Sequence, residues 1–192
     1  ENIIEGVRVK KGIPYVASCS FYGLTKLKWA EIDDSVTYIN SNAFGSCTAL
    51  KHVKLSENLR SINPGAFTGC TALEEISFPE SVTTIGSGAF YGCSSLSSIK
   101  IPKNLNSCED SAFSECVNLK NIYIEDLSQW LNMTEGPSFS SLKAGSRMRL
   151  EYYVGGKALE NLVIPQGITR IRKSAFAYGH NIKTVTFHEN IE

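Results

Sequence analysis

Apolar residues recur along this chain with a period of 23. Phenylalanines stand at Phe21, Phe44, Phe67, Phe90 and Phe113, and alanine precedes four of them, at Ala43, Ala66, Ala89 and Ala112. Three residues after four of the rings comes a cysteine (Cys47, Cys70, Cys93, Cys116), and three later a leucine (Leu50, Leu73, Leu96, Leu119). Each leucine opens an alternating apolar run: Val53 and Leu55, Ile76 and Phe78, Ile99 and Ile101, Ile122 and Ile124. Alternation at period two marks a strand with one face buried, so a strand is predicted there in every coil. Pro79 and Pro102 end two of these runs, because proline has no N–H to give to a ladder. A second apolar pair follows in each coil, as in Val36 and Ile39, Leu59 and Ile62, Val82 and Ile85. The register runs back to Ile4, Val7, Val9, Ile13 and Val16. It runs forward through Leu159, Leu162, Ile164, Ile168, Ile171, Ala175 and Phe176 to Ile182, Val185 and Phe187.

A fixed period of this length is the signature of a solenoid, in which each coil leaves an apolar side open and covers it by stacking on the next. The fold class expected is α/β: a right-handed leucine-rich-repeat solenoid of 23-residue coils, with a parallel sheet and short helical or 3₁₀ turns. Adjacent coils would lie about 4.8 Å apart where strands pair, so equivalent side chains form internal columns. Phe21, Phe44, Phe67, Phe90, Phe113 and Phe176 are expected in one such ladder, and Cys47, Cys70, Cys93 and Cys116 in another. Burial of each Leu, Ile or Phe stabilises by roughly 1.5 to 3 kcal/mol, and about six such positions per coil can offset the ordering entropy.

The period breaks once. Leu119 and Leu159 are one period plus 17 residues apart. The added segment begins Leu127-Ser128-Gln129-Trp130 in place of the Ala-Phe-x-x-Cys turn, then offers Met148 to Val154 and the pair Gly155-Gly156. Alternation around two glycines reads as a β-hairpin protruding from or edging the solenoid. Residues 1–192 are therefore expected to form a single solenoid domain, with repeats at about 4–124 and 159–192 and an insertion at about 125–158. A stop in mid-coil after Ile191 suggests that further residues, a cap or a partner covers that edge, so other domains or repeats are expected in the native chain.

The motif Ala-Phe-x-x-Cys-x-x-Leu-x-x-Ile-x-Ile-Pro resembles the BspA-type leucine-rich repeats of bacterial surface proteins, and the resemblance covers nearly the whole chain. It implies a cell-surface or extracellular location in a bacterium, with a signal peptide already removed, and an adhesin-like interaction role.

Charge and candidate chemistry narrow the function. Nineteen basic residues balance nineteen acidic ones, so no general field draws the chain to nucleic acid or to an anionic membrane. No apolar run is long enough for a membrane helix, and Glu1-Asn2-Ile3-Ile4 has none of the features of a signal peptide. Six cysteines invite a disulfide framework, yet four share one repeat position between inward residues, where thiols pack as small hydrophobes. No Cys-x-x-Cys or neighbouring Cys/His pair suggests zinc, and His52, His180 and His188 lie in no catalytic motif. Gly86-Ser87-Gly88 and Gly155-Gly156-Lys157 read as turns, and Asp33-Asp34 as a solvated turn after a strand. Asn132-Met133-Thr134 matches a glycosylation sequon that carries no meaning in a bacterium. No enzyme activity and no cofactor is expected, a polysaccharide-cleaving β-helix being disfavoured because no acidic residues cluster in phase.

What remains is the outward face of the strands. One column reads Trp29, His52, Glu75, Ser98 and Asn121; the next reads Glu31, Lys54, Ser77, Lys100 and Tyr123. Aromatic and charged side chains dominate binding energy, so Trp29, His52, Lys54, Lys100 and Tyr123 are the candidate ligand-binding residues, with a protein or a glycan as partner. The alternative is a structural spacer within a larger surface protein, with no ligand of its own.

Overall fold

In the computed structural model, which describes residues 3–109, 111–137, 149–189 and 191, the chain is a solenoid of about seven stacked coils. The first coil contributes β1 (Gly6–Val9) and β2 (Tyr15–Val16), the second β3 (Trp29–Ile32) and β4 (Tyr38–Ile39), the third β5 (His52–Lys54) and β6 (Ser61–Ile62). The fourth adds β7 (Thr84–Ile85), the fifth β8 (Ser98–Ile101) and β9 (Ser107–Cys108), the sixth β10 (Asn121–Ile124) and the helix α1 (Leu127–Asn132). Then come β11 (Glu151–Val154), β12 (Lys157–Ala158), β13 (Asn161–Val163) and β14 (Thr184–Thr186).

Strands one coil apart pair in parallel. The longer ones form a main sheet in two parts, β1-β3-β5 and β8-β10-β11-β12, and the two-residue strands form a second sheet in the order β2-β4-β6-β7-β9. The main sheet divides at the fourth coil, where Glu75 to Phe78 keep the phase but form no named strand. Phe78 stands where its neighbours carry Leu55 and Ile101, and its ring turns edge-on to Phe90 at 5.5 Å. The ladder lapses at the same coil.

The turn that closes each coil makes a third ladder. Phe44 N–H donates to the Ala66 carbonyl, Phe67 to Ala89 and Phe90 to Ala112, each at 2.7 to 2.8 Å. Left-handed residues bracket the phenylalanine of each of these turns at two positions before and two after: Asn42 and Ser46 around Phe44, Gly65 and Gly69 around Phe67, Ser111 and Glu115 around Phe113. Glycine meets this requirement without strain, whereas Glu115 and Tyr178 adopt it against the Cβ repulsion of an L-residue.

Inside, the rings of Phe21, Phe44, Phe67, Phe90 and Phe113 stack in one column with centroids 5.1 to 5.3 Å apart. Phe176 does not join it. Its ring meets Tyr152 edge-on at 5.5 Å, because the segment between Phe113 and Phe176 is not a whole number of periods. All six cysteines are free; Cys47, Cys70, Cys93, Cys108 and Cys116 are buried and Cys19 is exposed. The thiols of Cys47, Cys70, Cys93 and Cys116 donate to the carbonyls of Phe21, Phe44, Phe67 and Phe90 at 3.0 to 3.3 Å.

The irregular segment differs from the expectation at its helix. Helix α1 lies between β10 and Glu135, which bridges in parallel to Ser107, so it widens the loop between the two sheets rather than replacing the phenylalanine turn. Asp126 caps it by accepting from Gln129 N–H at 3.0 Å, and the Gln129 side-chain amide donates to the Leu105 carbonyl. The hairpin β11–β12 is present and edges the main sheet, the second of the two placements expected for it: β11 pairs in parallel with β10, Ile122 opposite Tyr152, as the next rung. Met148, where the hairpin was expected to begin, lies outside the described residues. β12 returns antiparallel, Val154 opposite Lys157, and β13 and β14 continue the solenoid as a separate parallel pair.

A joint fastens α1 to the last coils. Trp130 Nε1–H donates to the Ala175 carbonyl at 3.0 Å, and Arg172 Nε–H donates to the Trp130 carbonyl at 3.1 Å. The Arg172 guanidinium also lies 4.1 Å from the centroid of the Trp130 ring, a desolvated cation–π contact. Gly136 leaves the room for it, since a Cβ there would collide with the guanidinium.

Candidate functional site

The five candidate residues all lie on the outward face of the main sheet, but they form two groups. In the first, Trp29 stands opposite His52 and Glu31 opposite Lys54 in the β3–β5 register. In the second, Lys100 stands opposite Tyr123 on β8 and β10. The fourth coil, with Glu75 and Ser77 exposed, separates the groups.

Trp29 is 39% exposed, yet it is not a free-standing anchor. Its indole lies over Gly6, where any Cβ would run into the ring, and Arg8 approaches its centroid to 5.7 Å. Arg8 in turn bonds Glu31 at 2.6 Å, which holds that carboxyl below the usual carboxylate range. Backbone and hydroxyl hydrogen bonds from Ser35 lower the neighbouring Asp33 in the same direction. Arg8, Lys10, Lys11 and Lys54, with Glu31 and Asp33, line a shallow depression of about 370 Å³. Four cations face two anions there, so this end of the sheet is locally basic in a chain without net charge.

The second group is built differently. Tyr123, 36% exposed, stacks on Tyr153 of the next rung at 4.8 Å and 26°. The Tyr153 hydroxyl donates to the Glu151 carboxylate at 2.7 Å, and that bond raises the pKa of the phenol. Lys100 pairs with Glu125 at 2.5 Å; their hydrogen bond raises the pKa of the lysine and lowers that of the glutamate. Lys100, Tyr123, Ile124, Glu125, Gly155 and Gly156 enclose a depression of about 440 Å³. The hairpin turn is one wall of it.

Behind the first group Ala30 and Ile32 are buried and Val7, Val9 and Val53 partly so; behind the second the sheet is fully packed. Ile99, Ile101, Ile122, Ile124 and Tyr152 are buried, and burial pushes the thiol of Cys47 up to about 11 and that of Cys116 up to about 12. Thiols held protonated in this way are poor nucleophiles and poor metal ligands. Among the described residues no group of three or more His, Cys, Asp and Glu is placed to hold a metal ion.

Sequence comparison agrees with this geometry. The BspA type leucine-rich repeat region matches residues 7–134 and 150–192 in six copies. The chain belongs to the BspA-type leucine-rich repeat family.

Several solved structures resemble it. A leucine-rich repeat protein of T. pallidum superposes with a TM-score of 0.61 at 25% identity, over 80% of this chain and 74% of that one. A leucine-rich cell surface protein of Faecalibacterium prausnitzii gives 0.63 at 29%, over 74% of this chain and 36% of that one. The pneumococcal vaccine antigen PcpA gives 0.62 at 21%, over 96% of this chain and 42% of that one, a likeness of fold alone. No curated protein matches the chain in sequence. Bacterial-surface relatives of this kind point to a protein-interaction or surface module, and the repeat family and fold are typically non-catalytic.

The residues that complete the second group, Glu125, Glu151, Tyr153, Gly155 and Gly156, are absent from the sequence-based candidates. A signal for them exists: Glu151-Tyr152-Tyr153-Val154 aligns on Asn121-Ile122-Tyr123-Ile124 once β11 is taken as a rung, which places Tyr153 outward beside Tyr123.

Proposed function

We propose that this chain is a non-catalytic interaction module of a bacterial surface or secreted protein, binding a host protein or glycan through the outward face of its main sheet. Trp29, His52 and Lys54 make one contact region and Lys100 and Tyr123 the other. The observation that carries this reading is the division of labour within each strand. Inward positions are filled to the core, while outward positions in register carry aromatic and charged groups of the kind that dominate interfaces. The cell-surface relative from F. prausnitzii supports the location. Nucleic acid is not expected as a partner, given nineteen basic against nineteen acidic residues.

A binding screen against matrix proteins, mucins and glycans tests the proposal, with Trp29→Ala, Lys54→Ala and Lys100→Ala as probes of the face. Binding weakened about tenfold or more by at least one of them, equivalent to about 1.4 kcal/mol, is the expected result. A spacer with no affinity of its own would bind nothing in that screen, and a ligand indifferent to all three substitutions would place the contact elsewhere.

A further inference from the structure

The second depression brings together an aromatic ring, a closed ion pair and a bare glycine turn, and we infer that it is a subsite for a neutral saccharide. The inference rests on the sheet face being the binding surface and narrows it to one end and one ligand class. The site exists because of the departure from the repeat. β11 adds a rung beside β10, and the following turn sets Gly155 and Gly156 next to Ile124 and Glu125. The two glycines have φ of 54° and 77°, as a tight hairpin turn demands. In consequence that wall is bare backbone, with no protein atom within 4 Å of where either Cβ would lie.

Charge selects against ions. Lys100 and Glu125 neutralise one another, so a charged ligand would have to compete with an existing pair, whereas in the first depression four cations face two anions and positive charge is left over. Hydrogen bonding selects against a purely apolar group, such as a leucine side chain of a partner. Such a group would strip water from the lysine and the glutamate and return no hydrogen bond, which is costly. A sugar hydroxyl donates and accepts at once, so it can give to the Glu125 carboxylate and take from the Lys100 ammonium. The C–H face of the same ring can pack on Tyr123. Tyr123 is already held by its stack on Tyr153, which the Glu151 carboxylate fixes by its hydroxyl. A prearranged aromatic loses little freedom on binding. The volume of about 440 Å³ lies in the lower part of the range for small-molecule sites.

The test is an array of neutral oligosaccharides ending in glucose, galactose, mannose, fucose or N-acetylglucosamine, printed beside sialylated and sulfated ones and followed by titration in solution. At least one neutral saccharide is expected to bind with Kd below about 1 mM. Tyr123→Ala should weaken it about tenfold or more and Glu125→Gln severalfold, Tyr123→Phe should restore it, and Tyr38→Ala, an exposed aromatic on the second sheet, should leave it within about twofold. Thermal melting of each variant shows that the fold is kept, and Tyr123→Phe guards against a loss of packing in Tyr123→Ala. The inference is overturned if no neutral saccharide binds, if only acidic glycans bind, or if binding survives Tyr123→Ala. Should no neutral sugar bind while a protein partner is weakened by Trp29→Ala or Lys54→Ala, this subsite falls and the broader surface reading stands. If no partner of any kind responds to substitutions on the face, both fall.

Discussion

Phe67 and Phe176 hold the same place in the repeat and live in different surroundings. Phe67 is fully buried between the rings of Phe44 and Phe90, at 5.2 and 5.3 Å. Phe176 is half-buried, and the ring it meets, edge-on, is Tyr152. A repeat position confers its full stabilisation only where like residues lie on both sides, one coil away. In the regular coils every such position is served twice. After the irregular segment the same letters must find other partners, and they do so through the joint of Trp130, Arg172 and Tyr152.

The largest effect expected from this contrast is at the ring column. Phe67→Ala should cost about 3–5 kcal/mol, because the rings above and below hold the cavity open. Phe176→Ala should cost clearly less, about 1–2 kcal/mol, in proportion to its partial burial. Urea denaturation of the two variants measures the difference; equal losses would mean that both regions are packed alike.

The joint comes next. Arg172→Ala removes the donor to the Trp130 carbonyl and uncovers the indole, and is expected to cost about 1–3 kcal/mol. Gly136→Ala should reproduce part of that loss by displacing the guanidinium without deleting it. Hydrogen exchange would locate the weakening in α1 and the last coils, leaving β3 to β6 protected; uniform loss of protection would show that the solenoid opens as one unit.

Alkaline pH separates the regions in another way, since the thiol column belongs to the regular coils. Burial raises the folded-state pKa of Cys47 from 9.0 to about 11 and that of Cys116 from 9.0 to about 12, and raises Cys70 and Cys93 further. The folded chain therefore holds more thiol protons than the unfolded one above pH 9. The linked stability is fully present below that pH and is lost as pH rises through the folded values. The melting temperature should fall between about pH 9 and 11, and more gently in Cys70→Ala than in the parent. An identical slope in the variant would assign the decline to other groups.

The smallest effect is in the turns. Glu115 holds a left-handed conformation where Gly69 and Gly92 stand in neighbouring coils, so Glu115→Gly should stabilise by up to about 1 kcal/mol, offset in part by glycine's freedom in the unfolded chain. Gly69→Ala should destabilise. Stabilisation in both directions would show that backbone strain at this position is not what the repeat selects.

Much of this architecture was legible in the residues, for a particular reason. In a solenoid the contact that buries Phe44 is made with Phe67, one period on, so the periodic pattern along the chain is also the pattern of tertiary contact. The outward columns followed from the same phase, which is why Trp29 could be paired with His52 and Lys100 with Tyr123. The ion pairs Arg8 with Glu31, Lys28 with Glu5, Lys51 with Glu74 and Lys183 with Glu160 also lie one period apart. They are exposed, and they fix side-chain positions more than they add stability.

Other features needed the third dimension. The bracketing of each ring by left-handed residues has only a loose echo in the residue types, since Asn, Ser, Glu, Tyr, Cys and Gly all occupy those places. The indole of Trp29 lies down over Gly6 rather than standing clear, because the neighbouring coil has no side chain there to prop it up.

Sequence alone set the coil length, the inward columns and the phase of every regular strand, because each coil repeats the same local instructions and meets a copy of itself. It could not set the course of the chain after Ile124. There the chain adds a number of residues that is not a multiple of the coil, so phase no longer says which residues become neighbours. Only packing decided that β11 would become a rung, that Tyr153 would lie against Tyr123, and that the glycine turn would close over Lys100 and Glu125.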